Sequence, residues 1–159
     1  MENSPFEQRR RAVSEGLRER GLDALLVSLS PNLRYLSGFT GSNGVLLILA
    51  DEAILITDSR YQIQAAQETS CGVRIAKGAV LLDVVAAIER LGIRSLGYEP
   101  ARMTCEFFES LKPRLPMKAS MIPAGGWIEE LRMIKSPEEL ALIRRSVETN
   151  SRAFEQTVA

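Results

Sequence analysis

Two apolar runs, Gly44 to Ala50 and Ala53 to Thr57, stand back to back with only Asp51 and Glu52 between them. A two-residue polar break between such runs closes an antiparallel hairpin. Neither run alternates with polar residues, so both strands are expected to be covered by helices on their faces. That hairpin restricts the rest of the chain more than any other feature, because what surrounds it must supply the cover.

The surrounding pattern does so by alternation. Ser4-Pro5-Phe6-Glu7 carries the signals of a helix start: a cap, Pro in the first turn and Glu to close a capping box. The helix presents Phe6, Val13 and Leu17 on one face and stops at Gly21. Asp23 to Leu29 reads as a buried strand, Ser30-Pro31-Asn32 opens a helical turn with Leu33, Tyr35 and Leu36, and Gly38 to Gly44 is a loop. After the hairpin, Asp58-Ser59 caps a helix to about Glu68, and Val73 to Lys77 is a strand. Leu82 to Leu91 is a helix with Val84, Val85, Ile88 and Leu91 inside and Gly92 at its end. Ser95 to Glu99 is a strand, Thr104 starts a helix to about Leu111, and Lys118 to Ile122 is a last short strand. The expected fold class is therefore α/β, a mixed β-sheet flanked by helices.

A boundary is expected at Gly125-Gly126, giving a domain over 1–125 and a linker with a helix over 126–159. Ser136 caps that helix, Pro137 takes its first turn and Glu139 closes the box. Leu140, Ile143, Val147, Phe154 and Val158 recur on one face, and no Gly, Asn or Pro stops the pattern. The expectation is a helix leading into a further, absent domain.

Composition matters chiefly through what it excludes. The chain has no histidine, which removes Ser-His-Asp and Cys-His nucleophiles and every His-containing zinc site. Cys71 and Cys105 lie in no metal-type spacing and are expected to be buried thiols of a cytoplasmic protein. Twenty Lys+Arg balance twenty Asp+Glu, so no basic excess supports a nucleic-acid partner. Arg9-Arg10-Arg11, followed by Glu15 and Glu19, reads as a solvated helix face. The amino-terminal residues carry no signal-peptide pattern, and no apolar run approaches the ~20 residues of a membrane span.

Three constellations have chemical content. The loop Gly38-Phe39-Thr40-Gly41-Ser42-Asn43-Gly44 matches neither the dinucleotide fingerprint nor the phosphate loop, and it precedes a strand rather than a helix. Two readings stand: a turn whose glycines supply positive φ, or a pocket lining with an aromatic wall and neutral hydrogen-bonding groups. Asp58 is an N-cap in the structural reading. Arg60, unusual in a first helical turn, either pairs with an acid or reaches out to an anion such as a substrate carboxylate. Finally, Asp23, Asp51, Asp58, Asp83 and Glu99 fall at or near element ends. There they either serve local turns and caps or gather two Mg²⁺ ions, as in a ribonuclease H-like nuclease.

Taken together, several segments resemble the N-terminal domain of the creatinase/prolidase/aminopeptidase P family, the pita-bread metallopeptidases. They are Gly21 to Val27, Asn32 to Ser42, Ile56 to Tyr61, Leu96 to Glu99 and Leu131 to Leu140, in that order and across essentially the whole chain. The resemblance implies a ribonuclease H-like mixed sheet that is not itself catalytic. It implies that two Asp, one His and two Glu of a following domain hold two Mn, Co or Zn ions that cleave the bond before proline. None of those ligand motifs is present here, so no metal and no catalytic residue is assigned to this chain. It further implies a homodimer, and a loop from Gly38 to Asn43 closing over the active site of the catalytic domain on a proline-containing peptide. The substrate-gating candidates are Tyr35, Phe39, Thr40, Ser42, Asn43, Arg60 and Tyr61, with Arg60 and Tyr61 given a structural role first. The alternative is a stand-alone binding or dimerisation module.

Overall fold

The computed structural model describes residues 4–158. They divide into two compact units, the first closing at Ile128 and the second beginning at Glu129.

In the first unit, α1 (Pro5–Glu19) is followed by β1 (Ala24–Val27), α2 (Ser30–Ser37), β2 (Gly44–Leu49) and β3 (Ala53–Asp58). A 3-10 turn (Ser59–Tyr61) leads into α3 (Gln62–Glu68), then β4 (Gly72–Ala76), α4 (Val80–Arg90), β5 (Ser95–Tyr98), α5 (Cys105–Leu111) and β6 (Ser120–Pro123). The six strands form one sheet in the order β4-β3-β2-β1-β5-β6. β2 is antiparallel to both β1 and β3, whereas the β3–β4, β1–β5 and β5–β6 pairs are parallel. Five strands thus share a direction and one opposes them, a mixed sheet as the alternation of elements predicts and with the ribonuclease H-like topology that the family resemblance implies. The hairpin forms as expected, with Val45 opposite Ile56 and Leu47 opposite Ile54.

The absence of alternation in these strands has its expected cause. Leu26, Leu47, Ile56 and Leu96 join Val84, Ile88 and Leu111 in one core. Their neighbours Leu25, Leu46, Ile48 and Leu55 point to the other face by the two-residue period and are equally buried, where α1 and α2 pack against β2. Each such side chain contributes ~1.5–3 kcal/mol by leaving water.

Local signals hold where their donors and acceptors are close in sequence. Ser4 and Glu7 form the reciprocal capping box, at 3.2 and 3.1 Å, and Gly21 has a φ of 63°. Thr104 caps α5 through the Phe107 amide. Elsewhere the structure corrects the reading. α4 begins at Val80, with no side-chain cap. Asp83, read as a cap, lies one turn inside and pairs with Arg74 at 2.6 Å. Of the basic run, only Arg11 is solvated, paired with Glu15. Arg9 lies over the Tyr35 ring at 4.1 Å. Arg10 is buried and donates to the Leu36 carbonyl (2.9 Å) and the Ser70 hydroxyl (3.0 Å). A guanidinium there meets the negative end of α2, which compensates its burial. Cys71 is half-buried and Cys105 exposed, so the expectation of two buried thiols fails for Cys105.

The junction between β1 and α2 is fixed from a distance. Glu99, directly after β5, is 3% exposed and accepts the amides of Ser28 (2.9 Å) and Leu29 (3.3 Å) together with the Asn32 side chain (2.5 Å). At the far end of the unit, α6 (Trp127–Met133) starts with Trp127 packed over Gly16, its ring 4.0 Å from the Arg20 guanidinium. A side chain at position 16 would collide with that ring.

The second unit contains α7 (Pro137–Val158), started by the expected box: Glu139 N–H donates to Ser136 Oγ at 3.2 Å and Ser136 N–H to the Glu139 carboxylate at 3.0 Å. Leu140, Ile143, Val147, Phe154 and Val158 on it are all exposed. No helix among the described residues is long and apolar enough to cross a membrane.

Replacing Glu99 by Ala strands two amides and an Asn side chain. The expected loss is ~3 kcal/mol, with Glu99→Gln losing less because it keeps an acceptor; urea unfolding of the three proteins measures both.

Candidate functional site

Because β2 opposes the other strands, the loop entering it lies at the same sheet edge as the C-terminal ends of β1, β3 and β5. In open α/β sheets that edge is where ligand-binding groups collect. The loop from Gly38 to Asn43, Asp58 and Glu99 all lie along it.

The loop is built around its own aromatic residue. Gly38 ends α2 with φ 82°, a left-handed geometry that glycine adopts without strain. Phe39 turns inward at 1% exposure, and the Gly41 backbone folds across its ring so closely that a Cβ there would clash. Gly44 passes the same ring, where a Cβ would lie at 3.2 Å. Of these three glycines, only Gly38 supplies positive φ; the other two permit close approach. The ring of Phe39 meets Tyr61 edge-on, centroids 5.6 Å apart. Of the two readings of the loop, the buried Phe39 ring departs from the exposed aromatic wall of the pocket reading and forms the core of the loop.

Three side-chain clips tie the loop to the β3–α3 segment. Thr40 donates its N–H (2.7 Å) and its hydroxyl (2.8 Å) to the Glu68 carboxylate, while Gln64 donates to Thr40 Oγ1 (2.8 Å) and to Glu68 (3.0 Å). Ser42 and Tyr61 share a hydroxyl–hydroxyl bond of 2.7 Å. Asn43 donates to Asp58 at 2.6 Å, and its carbonyl accepts from the Thr57 hydroxyl at 2.5 Å. Asp58 also takes the Arg60 guanidinium through two bonds, 2.9 Å from Nε and 2.8 Å from a terminal nitrogen, and accepts the Arg60 amide at 3.0 Å. Of the two alternatives for Arg60, the ion pair is the one present in the structure. Such an exposed pair adds little stability; its effect is to orient both side chains.

The electrostatics follow these contacts. Bonds from the Arg60 side chain, then from Asn43, hold the Asp58 carboxyl far below the usual carboxylate range. The Ser42 hydroxyl lowers Tyr61. Burial pushes Glu68 up, but the Thr40 amide and hydroxyl, Gln64 and the charge of Arg34 outweigh it, and the net shift is downward.

The remaining candidates separate. Tyr35 stacks under Arg9 on α1 rather than joining the loop clips. The five acids do not converge. Asp23 accepts the Arg94 and Ser95 amides at 2.8 and 2.9 Å, and Asp83 is held by Arg74. Asp58 and Glu99 share an edge with β2 and β1 between their strands, a separation of ~14 Å at three strand spacings. Both carboxylates are already occupied by hydrogen-bond donors. Among the described residues no three His, Cys, Asp or Glu side chains are grouped to hold a metal. The donor set fits neither a two-Mg²⁺ nuclease centre nor a dinuclear peptidase centre.

Glu68 and Gln64 were not anticipated from the sequence. Their i, i+4 spacing on a helix is the only local signal, and nothing in it points to a loop 24 residues upstream of Gln64.

Comparison with known proteins places this geometry. The creatinase/prolidase N-terminal domain model matches residues 9–134. The peptidase YqhT of Bacillus subtilis is 35% identical over 135 residues, 84% of this chain and 38% of its own length. The structure of an Xaa-Pro dipeptidase from Bacillus anthracis aligns at a TM-score of 0.89 and 29% identity, covering 95% of this chain and 42% of that one. The N-terminal domain of the cytoplasmic peptidase PepQ from Mycobacterium tuberculosis aligns at 0.72 and 37% identity, covering 78% of this chain and 98% of that one. The chain thus spans about two fifths of the full-length relatives it matches.

Since Asp58 ionises more readily folded than unfolded, its clip stabilises fully above the ordinary aspartate range and is lost as pH falls below it. Carboxyl-detected NMR titration should show Asp58 ionised below pH values that protonate ordinary aspartates, and Asn43→Ala should move its midpoint upward.

Proposed function

The chain belongs to the creatinase/prolidase N-terminal domain family, and from that premise we propose that it is the non-catalytic half of an Xaa-Pro dipeptidase or aminopeptidase, serving dimerisation and substrate-side gating. In this reading the reaction belongs to a following catalytic domain holding two divalent ions, Mn, Co or Zn, in a cytoplasmic homodimer. The substrate is a proline-containing peptide.

The observation that supports it best is the loop itself. Thr40, Ser42 and Asn43 are exposed at the edge of the sheet, on a backbone already fixed by the three clips. A loop held in place before a ligand arrives spends less binding energy on ordering. Neutral hydroxyl and amide groups suit the polar backbone of a peptide. With Phe39 turned inward, Tyr61 is the aromatic ring of this cluster that remains half-exposed.

The purified chain, given an Xaa-Pro dipeptide and Mn²⁺ or Co²⁺, is expected to release no free proline; turnover by the chain alone would overturn the assignment of roles. Reading the gene past codon 159 tests the same reading from the other side. A continuation with the Asp, Asp, His, Glu, Glu ligand set is expected, and a stop codon would favour the stand-alone module. Sedimentation equilibrium is expected to give a dimer.

A further inference from the structure

The contacts that hold the loop are not equivalent. Ser42 and Asn43 are held through their side chains. Thr40 presents its N–H and its hydroxyl to one carboxylate, each donating to a different oxygen of Glu68, whereas the side chain and carbonyl of Asn43 go to two residues, Asp58 and Thr57. A carboxylate that takes two donors from one residue fixes both the position and the rotation of that peptide unit, and such charge-assisted bonds are the stronger class. Glu68 is in turn prevented from swinging away by Gln64, which donates to both members of the pair. The last turn of α3 also closes on the loop from behind: a Cβ on Gly38 would lie 2.8 Å from the Glu68 carbonyl. The residue before Thr40 is the buried Phe39 and the residue after it is Gly41, folded over that ring. Thr40 is therefore the exposed peptide unit between the buried Phe39 and the folded Gly41.

We propose that Glu68 is the positioning residue of this loop, setting the backbone at Thr40 and through it the direction in which Thr40, Ser42 and Asn43 face a peptide. The proposal deepens the gating reading and rests on it for the identity of the ligand; the positioning itself does not depend on it. The charged group facing Glu68 from another element is Arg34 of α2, whose charge favours the ionised carboxylate; Thr40 and Gln64 supply the neutral donors. Because the folded carboxyl ionises more readily than an ordinary glutamate, the latch is closed throughout neutral and mildly acidic pH. It opens only as pH falls below the usual glutamate range.

Amide hydrogen exchange and the amide chemical shift of Thr40, followed by NMR in this chain, test the proposal. In Glu68→Ala the protection of the Thr40 amide is expected to fall about tenfold, the loss of one hydrogen bond to a charged group. Protection of the β2 and β3 amides should stay unchanged. Glu68→Gln keeps a carbonyl acceptor and should restore most of the protection, while abolishing the acid titration of the Thr40 amide shift seen in the parent chain. Thr40 protection in Glu68→Ala within twofold of the parent, or an acid titration that survives in Glu68→Gln, would overturn it. A Glu68→Ala chain that loses protection across the whole sheet would overturn it too, by making Glu68 a residue of global stability. These readouts need no substrate and no second domain. If they hold while the loop meets no peptide, the gating reading fails and the positioning assignment stands.

Discussion

A single buried carboxylate governs how this fold presents its edge. Glu99 follows β5, yet its oxygens are occupied by groups from the end of β1 and the start of α2, some 70 residues earlier in the chain. The first amides of a helix have no partner within it, and here a side chain from a neighbouring strand provides one. A charge placed at that depth without donors would be expelled. With three donors it becomes a fixed point that joins the parallel β1–β5 pair to the helix beside it. α2 then delivers the chain to Gly38, so the loop inherits its origin from Glu99 and its course from Glu68. Arg10 secures the opposite end of the same helix through the Leu36 carbonyl. Helix α2 is thus held at its start by an anion and at its end by a cation, both in keeping with its dipole.

Much of this architecture was legible because its determinants are local. The hairpin was marked by two apolar runs and a two-residue break, and both capping boxes by four-residue signatures. Element type followed from periodicity and its mixed arrangement from the order of elements. Precision failed where tertiary burial overrode local rules. Val80 and Leu81 extend α4 toward the core without any cap, because packing supplies what the missing cap would. The arginine run looked solvated because charges usually are, yet Arg10 is buried against a helix terminus that no sequence pattern announces.

The loop was legible in the sequence as an unusual segment, and the directions of its side chains were not. Gly38 to Asn43 stood out through its glycines, and Arg60 through its poor fit to a helix start. What could not be read was which side chain points inward. Phe39 looks like a pocket wall in sequence and is the foundation of the loop in space. Glu68 looks like an ordinary surface acid at the end of a helix and takes both the amide and the hydroxyl of Thr40. Both errors arise from contacts that link residues more than 20 positions apart, beyond the range of any cap or turn signature.

The seat of Trp127 over Gly16 has a mechanical side. At the end of the first unit the indole packs against Gly16 and under the Arg20 guanidinium. That end is therefore fastened to α1 by an aromatic side chain as well as to β6 along the backbone. α1 in turn reaches α2 through Arg10, whose guanidinium donates to the Leu36 carbonyl, two residues before Gly38. One relay of contacts thus runs, within the first unit, from the indole through α1 and α2 to the start of the Gly38–Asn43 loop.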